Sequence, residues 1–243
     1  MSGHRFSFGN DRIGTMETVG LDALMIRLFD TIDEANVGWL LALVERLRGT
    51  FGDHLVDLVP SYTTVLVHYD VLALDMDQAR ARVRQAAQGL APAASAQGRE
   101  HRVPVWYHPT VGPDLARLAD LSGLTVDEVV RRHCAKAYRV FALGFTPGFA
   151  FMGLVEPALA APRLTTPRQR IAAGSVGIGE RQTAIYPSDS PGGWNLLGRT
   201  PVQLYVAGQS LFSPGDSVRF EAISRERFLE LGGNPMPLES NQP

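Results

Sequence analysis

The chain has 243 residues, 45% hydrophobic and 20% charged, an ordinary composition for a globular protein long enough for one large or two small domains. Its formal net charge of −2 provides no positive field that would hold nucleic acid or an anionic membrane surface. The single cysteine, Cys134, excludes an intrachain disulfide, and no apolar run has the length of a signal peptide or membrane span, so we expect a cytoplasmic protein.

The first 90 residues predict an α+β domain. Apolar periodicity and acidic helix starts indicate a strand at 21–29, a helix at 33–48, strands at 55–59 and 63–69, and a helix at 75–90. With 103–107 as a closing strand, this order resembles a ferredoxin-like split βαβ arrangement. Residues 1–15 are polar, and we expect order there only where they pair with another segment.

The segment 91–100 has the sequence APAASAQGRE, which is small, polar and proline-containing. Such a composition, without apolar periodicity, is typical of a linker. We therefore predict a domain boundary there, with an α+β domain at 1–90 and a second domain at 101–243.

The second domain is predicted to begin with two short helices and to continue as a β-rich stretch. The helices are expected at 113–122 and 125–137, and the second starts with TVDE, where Thr125 and Glu128 can form a capping box. From 143 to 201, closely spaced glycines and prolines rule out a long helix.

Between these glycines and prolines lie apolar runs of strand length, which indicate a compact, mainly β unit with tight turns. The predicted elements are strands at 149–152, 173–178, 183–186, 202–206 and within 212–220, followed by a helix at 224–231 and a frayed tail from 232.

Several common chemistries are excluded by the sequence. The only lysine, Lys136, lies in CAKAY, so there is no phosphate-binding loop ending in Lys and Ser or Thr. Ser175 directly follows a glycine, which breaks the nucleophile-elbow spacing and indicates a strand or turn residue. His133 and Cys134 are helix neighbours about 100° apart, so they do not form a catalytic pair. The histidines lack metal-ligand spacing, so no metal site is predicted.

Two glycine-rich segments are the strongest local candidates for a binding surface. GFTPG (144–148) and SPGGW (190–194) permit close approach of a ligand or partner, and Trp194 offers a stacking face. The other interpretation is that both segments are barrel corners and that Trp194 belongs to the core. Nearby arginines can hold an anionic group, or they can be solvated or salt-bridged: Arg163, Arg168 and Arg199.

A series of short motifs in this chain resembles a known bacterial family. In order, these are GFTPGFAFMG, PR, TPR, AGSVGI, QT, YP, SPGGW and LGRTP, preceded by LVPSYTTVLVHYD and VGPDLARLADLSGLTVDEVVRRH. The family is that of the 5-oxoprolinase B subunit, also known as allophanate hydrolase subunit 1 or sporulation kinase A inhibitor, which contains carboxyltransferase subdomains C and D.

This resemblance implies a cyclophilin-like β-barrel behind the smaller α+β domain. His133 matches a histidine of the family pattern, and its alternative role is to stabilise the C-terminus of its helix. The resemblance does not assign the catalytic residues. The candidates for binding substrate or partner are His133, Pro147, Arg163, Arg168, Gln182, Trp194, Arg199 and Thr200.

The function implied by the resemblance is that of the B subunit in an ATP-dependent 5-oxoprolinase, which opens 5-oxoproline to glutamate. The C subunit of that enzyme is then the close partner and its A subunit is a further one, and ATP is used by the complex rather than bound in a phosphate loop of this chain. Two alternatives stay open: a non-enzymatic module that inhibits a histidine kinase, and a carboxyltransferase-like component of a urea or allophanate pathway.

Overall fold

The computed structural model describes residues 3–93 and 98–237. The chain divides into two compact units, Met1–Gln97 and Gly98–Pro243. Of the predicted linker at 91–100, residues 94–97 lie outside the described residues, and Glu100 begins a strand. The linker therefore stays a prediction.

The first unit contains five strands and two α-helices among its described residues. In chain order these are β1 (His4–Phe8), β2 (Arg12–Thr18), β3 (Ala23–Arg27), α1 (Asn36–Phe51), β4 (Leu55–Pro60), β5 (Thr64–Tyr69) and α2 (Met76–Ala87), with a 3-10 turn at Gly52–His54. As predicted, α2 begins at an acidic capping residue, and the structure shows that this residue forms a capping box. The Asp75 carboxylate accepts from the backbone N–H of Gln78, and the Gln78 side chain accepts from that of Asp75.

The strands of this unit form one antiparallel sheet in the order β1-β2-β3-β5-β4. The hairpin β1–β2 forms because Phe6, Phe8 and Met16 alternate onto the buried face. This hairpin supplies the strand beside β3, a position that the ferredoxin-like prediction gave to 103–107. The ferredoxin-like arrangement is therefore not confirmed, because the closing strand comes from before β3 and not from after α2.

The second unit is richer in strands. Its elements are β6 (Glu100–Val105), α3 (Leu115–Ser122), α4 (Val126–Cys134), β7 (Ala137–Leu143), β8 (Ala150–Gly153), a 3-10 turn (Pro157–Leu159), β9 (Arg168–Ile171), β10 (Ser175–Gly179), β11 (Gln182–Ile185), β12 (Ser190–Gly192), β13 (Asn195–Arg199), β14 (Tyr205–Val206), β15 (Gln209–Ser210), β16 (Ser217–Ala222) and α5 (Arg225–Glu230). The predicted strand at 202–206 is reduced to β14, which pairs with β15 in a two-stranded ribbon.

Seven of these strands form a barrel-like sheet in the order β13-β10-β11-β8-β7-β16-β6. Trp106, which follows β6, exchanges two backbone hydrogen bonds with Arg199 of β13, at 2.9 and 3.0 Å, and so brings the two edges of the sheet together. Gly198 is required at this closure, because a Cβ there would lie 2.5 Å from the carbonyl oxygen of Trp106. The prediction of a mainly β, barrel-like domain is confirmed at this level.

The predicted strand at 103–107 belongs to a different sheet from the one expected. It forms β6, which pairs in parallel with β16, so that Glu100 lies opposite Ser217 and Val105 opposite Ala222. The two strands bury Val103, Val105, Val218 and Phe220 in the barrel core. Within the described part of the chain, no helix combines the length and the apolar character that a membrane crossing requires.

Candidate functional site

Three of the predicted motifs meet around one small cavity of the second unit, which we call the aromatic pocket. Its volume is about 170 Å³. It is lined by Phe145, Phe149, Phe151, Arg163, Tyr186, Pro191, Gly192, Gly193 and Trp194. A single surface feature therefore contains residues of three motifs: GFTPGF, SPGGW and the PR motif with Arg163.

The walls of the aromatic pocket are a set of interlocked rings. Phe149 makes edge-to-face contacts with Phe151, Tyr186 and Trp194, at centroid distances of 4.8, 5.3 and 5.9 Å. Such contacts add to the energy of burial and fix the ring orientations. Gly192 is needed for this packing, because a Cβ there would lie 2.3 Å from the Tyr186 hydroxyl oxygen. The pocket is therefore preformed.

The GFTPG turn presents Phe145 at the mouth of the aromatic pocket. The turn is closed by hydrogen bonds from the Phe149 N–H to the Thr146 carbonyl and from the Gly144 N–H to the Phe149 carbonyl. Phe145 adopts a φ of 69° and is 63% exposed, although its ring contacts that of Phe149. A phenylalanine held outward in a left-handed conformation is typical of a contact surface rather than a core.

Arg163 provides the positive charge of the aromatic pocket. Its guanidinium carbon lies 5.6 Å from the centre of the Trp194 ring, a cation–π contact. The side chain is exposed, and no carboxylate of the described residues pairs with it. The pocket thus combines an apolar aromatic floor with an unpaired cation at its rim.

Arg168 lies elsewhere and has a structural partner. Its Nη2 donates to Oδ1 of Asp114 at 2.8 Å, while Oδ2 of Asp114 accepts from the backbone N–H of Leu196. Both side chains of this pair are largely buried. Arg168 therefore joins β9 to the start of α3 and to β13.

Arg199 and Thr200 line a second cavity, of about 420 Å³, which we call the C-terminal cavity because residues 232–234 form part of its wall. Arg199 is buried, and its Nη1 donates to the carbonyl oxygens of Asn234 and Met236, both at 2.8 Å. The hydroxyl of Thr200 accepts from the Val202 N–H. The three predicted arginines thus occupy three different environments.

The other predicted site residues have separate positions. Pro147 is exposed in the GFTPG turn. Gln182 begins β11, where it lies opposite Gly153 and Gly179 in the barrel sheet. Neither lines the aromatic pocket or the C-terminal cavity.

His133 is enclosed in the core of the second unit. Its Nδ1 lies 2.7 Å from the Tyr107 hydroxyl, and its Nε2 lies 3.0 Å from the Thr183 hydroxyl, which donates to the Gly177 carbonyl. This pattern requires a neutral ring that carries its proton on Nε2. Its ring stacks on Phe220, and burial lowers the pKa of His133 to about 3.

This buried histidine should make the free energy of unfolding depend on pH. An unfolded histidine takes up a proton near pH 6.5, whereas His133, with its pKa of about 3, resists protonation in the folded state. The stabilisation is therefore complete above pH 6.5 and falls as the pH decreases toward 3. We expect the free energy of unfolding to be about 2 kcal/mol lower at pH 5 than at pH 8.

Urea unfolding at the two pH values, compared between wild type and His133→Gln, measures this contribution. Glutamine can keep both hydrogen bonds but does not titrate. An equal pH dependence in the two proteins would show that His133 is not held neutral.

The sequence interpretation missed the aromatic side chains that build the pocket. Phe145, Phe149, Phe151 and Tyr186 were treated as strand or turn residues, although the spacing of the phenylalanines in GFTPGFAF was a usable signal. Burial raises the pKa of Tyr186 to about 12, so its hydroxyl remains a neutral donor. Among residues 3–93 and 98–237, no group of three or more His, Cys, Asp or Glu is placed to hold a metal ion.

Known proteins resemble this chain over most of its length. Residues 15–213 match the family described as carboxyltransferase domain, subdomain C and D. The B subunit of 5-oxoprolinase from Bacillus subtilis (strain 168) is 32% identical over 226 residues, which cover 88% of this chain and 94% of that protein. The B subunit of 5-oxoprolinase from Escherichia coli O157:H7 is 36% identical over 208 residues, or 83% of this chain and 93% of that protein.

Solved structures share the fold. The crystal structure of TTHA0988 matches with a TM-score of 0.72 and 37% identity, over 83% of this chain and 40% of that chain. This chain therefore spans less than half of TTHA0988. The urea carboxylase of Kluyveromyces lactis matches with a TM-score of 0.75 over 95% of this chain and 23% of that chain. At 15% identity, the second likeness is one of fold alone.

Proposed function

The chain belongs to the family of carboxyltransferase domains, subdomains C and D, together with proteins named as the B subunit of 5-oxoprolinase, and we propose that it is the B subunit of an ATP-dependent 5-oxoprolinase. In this role it takes part in opening 5-oxoproline to glutamate, with the C subunit of the enzyme as its close partner and the A subunit as a further one. The observation that carries the proposal is the aromatic pocket, in which the glycine-rich motifs of the sequence meet.

The proposed reaction needs more groups than this chain offers. A lactam is a stabilised amide, so opening it at the expense of ATP requires an activated intermediate. The aromatic pocket, at about 170 Å³, is smaller than the roughly 300–1,000 Å³ of ordinary ligand sites. Lys136 donates to the Leu154 carbonyl oxygen. The aromatic pocket is too small for a nucleotide and the sequence has no phosphate-binding loop, so we assign ATP binding to the partner subunits.

The aromatic pocket fits one side chain of a partner better than a whole substrate and cofactor. Aromatic residues and arginine are the types that dominate the binding energy of protein interfaces. Phe145 offers an exposed ring at the mouth, and Arg163 offers a cation without a carboxylate partner among the residues described. We therefore assign to this pocket an acidic or aromatic side chain of the C subunit.

The experiment that tests this assignment is a titration of the C subunit into wild type and into Arg163→Ala. Arg163→Ala removes the cation over the aromatic wall and its ion pair with the partner. The dissociation constant of the complex should therefore rise about tenfold. The thermal midpoint should not change, because Arg163 is exposed. Activity of the reconstituted complex should recover at higher concentrations of Arg163→Ala.

Arg102→Ala is the matched control, since Arg102 is also an exposed arginine of the second unit and its ion pair with Glu221 lies on the surface. This variant should bind the C subunit as wild type does. If Arg163→Ala also binds like wild type, the aromatic pocket is not the docking point. No contact among residues 3–93 and 98–237 favours the kinase-inhibitor or the urea-pathway alternative.

A further inference from the structure

Four apolar side chains are exposed at one end of the first unit, and we call them the leucine patch: Val19, Leu21, Val71 and Leu72. Leu21 is 84% exposed and Leu72 is 95% exposed. Val19 and Leu21 lie in the turn between β2 and β3, and Val71 and Leu72 lie in the loop between β5 and α2. A single exposed leucine is common on protein surfaces, whereas a group of exposed apolar side chains on neighbouring loops marks a contact surface.

Tyr69 holds the two loops of the leucine patch side by side. Its backbone N–H donates to the Asp22 carbonyl oxygen and its hydroxyl donates to the Leu21 carbonyl oxygen, both at 2.9 Å. Within the second loop, the Asp70 carboxylate accepts from the Leu72 N–H, also at 2.9 Å. The exposed side chains are therefore carried on ordered turns, which lowers the entropy that docking of a partner would cost.

The surroundings of the leucine patch are acidic. The two chain segments that form this end of the unit, 13–26 and 49–79, contain seven Asp or Glu residues and no Lys or Arg. Arg80 of α2 reaches this end, but it is paired with Asp77 at 3.2 Å. One arginine does not balance seven carboxylates, so the patch lies in a negative field.

This combination of apolar side chains and negative charge selects one kind of partner. Apolar groups inside an acidic surface favour a protein whose own apolar contacts are surrounded by lysines and arginines. A two-fold dimer of this chain through the patch would place the same carboxylates opposite each other, and nucleic acid or an anionic membrane would be repelled. A basic protein surface is therefore the occupant that fits.

We propose that the leucine patch docks a basic, apolar surface of the A subunit of 5-oxoprolinase. This inference rests on the proposed function, which needs two partner subunits. The aromatic pocket of the second unit is assigned to the C subunit, and the leucine patch of the first unit provides a separate contact for the other partner. The leucines anchor this contact by burying apolar area, and the carboxylates steer the association.

Titration of the A subunit into the preformed complex of this chain with the C subunit tests the contribution of the leucines. Leu21→Gln and Leu72→Gln should each raise the dissociation constant of the A subunit about tenfold, because a buried leucine contact is lost. Their thermal midpoints should stay at the wild-type value, since both side chains are exposed in the unbound chain. Leu121→Gln is the matched control, because Leu121 is 54% exposed in α3 of the second unit, and it should bind as wild type does.

The contribution of charge is tested by salt and by one carboxylate. Raising the sodium chloride concentration from about 50 to about 500 mM should weaken binding of the A subunit, because salt screens the attraction between exposed charges. Asp77→Asn should raise the dissociation constant a few-fold at low salt and less at high salt. Asp127→Asn is the matched control and should bind normally, since Asp77 and Asp127 are both exposed in the first turn of a helix, α2 and α4 respectively.

Wild-type affinity for the A subunit in both leucine variants would overturn the proposal. Two other results would also overturn it: loss of C-subunit binding in place of A-subunit binding, and a dimer of this chain, detected by light scattering, that Leu72→Gln dissociates. If the wild-type chain binds neither subunit, the 5-oxoprolinase assignment fails and the inference fails with it. Failure of the inference alone is therefore distinguishable, because the wild-type complex then still assembles.

Discussion

Purified on its own, the chain should turn over neither 5-oxoproline nor ATP, and activity should appear only when the other two 5-oxoprolinase subunits are added. The sequence has no phosphate-binding loop, and its only lysine lies in CAKAY. His133 does contact a hydroxyl, that of Thr183, but both residues are fully buried, so no substrate can reach that pair. We expect the turnover rate to rise from background to its full value when the two partner subunits are added.

Release of glutamate and of phosphate, measured with each component omitted in turn, checks this expectation. The matched control is a mixture that contains this chain after heat denaturation, which should behave like the mixture without it. Steady turnover of 5-oxoproline by this chain alone would refute the assignment of ATP binding and reacting groups to the partners.

Replacing Trp194 by alanine should lower the stability of the second unit by roughly 3–5 kcal/mol. Trp194 is 4% exposed and packs with Phe149, Ile171, Tyr186 and Leu196 in one buried cluster. The thermal midpoint should therefore fall by roughly 6–20 °C. This expectation favours the core interpretation of Trp194 over a purely surface role, although one face of the residue also lines the aromatic pocket.

Trp194→Phe is the matched control, because it keeps an aromatic ring in the cluster and should cost less than the alanine variant. Calorimetric melting and a titration with the C subunit on the same samples separate the two roles. If Trp194→Ala melts like wild type and loses only its affinity for that partner, Trp194 is a binding residue without a structural role.

Local signals in the sequence predicted most elements of the fold. The cap at Asp75 and the cap at Thr125, whose hydroxyl accepts from the Glu128 N–H, lie where the sequence placed helix starts. The Glu128 side chain instead binds Arg131 and Arg132, so the second capping box is incomplete. Short-range chemistry of this kind is encoded within one turn of helix, and it is therefore readable from sequence.

Sheet membership was not readable in the same way. Strand β6 has the apolar alternation of any half-buried strand, and nothing within it specifies β16, more than 100 residues later, as its partner. The hairpin β1–β2 was also missed. Its alternation of Phe6 and Phe8 with polar residues is too short to indicate a strand. Pairing over long separations depends on the whole core and not on the strand alone.

The candidate site was predicted in part. Glycine and proline spacing identified the segments that form the aromatic pocket, because rigid turns carry a strong sequence signal. The destinations of the arginines were not predictable, since they depend on partners distant in sequence: Asp114 for Arg168, and Asn234 with Met236 for Arg199.

The parallel pairing of β6 with β16 has a consequence for how the protein acquires its structure during synthesis. All strand pairs of the first unit join residues within the first 69 positions, so its sheet can assemble while the rest is still being translated. The first strand of the second unit, in contrast, must wait for Ser217–Ala222 to leave the ribosome. Until then Val103 and Val105 have no strand to pair with, so an apolar strand stays unpaired during most of the synthesis of the second unit.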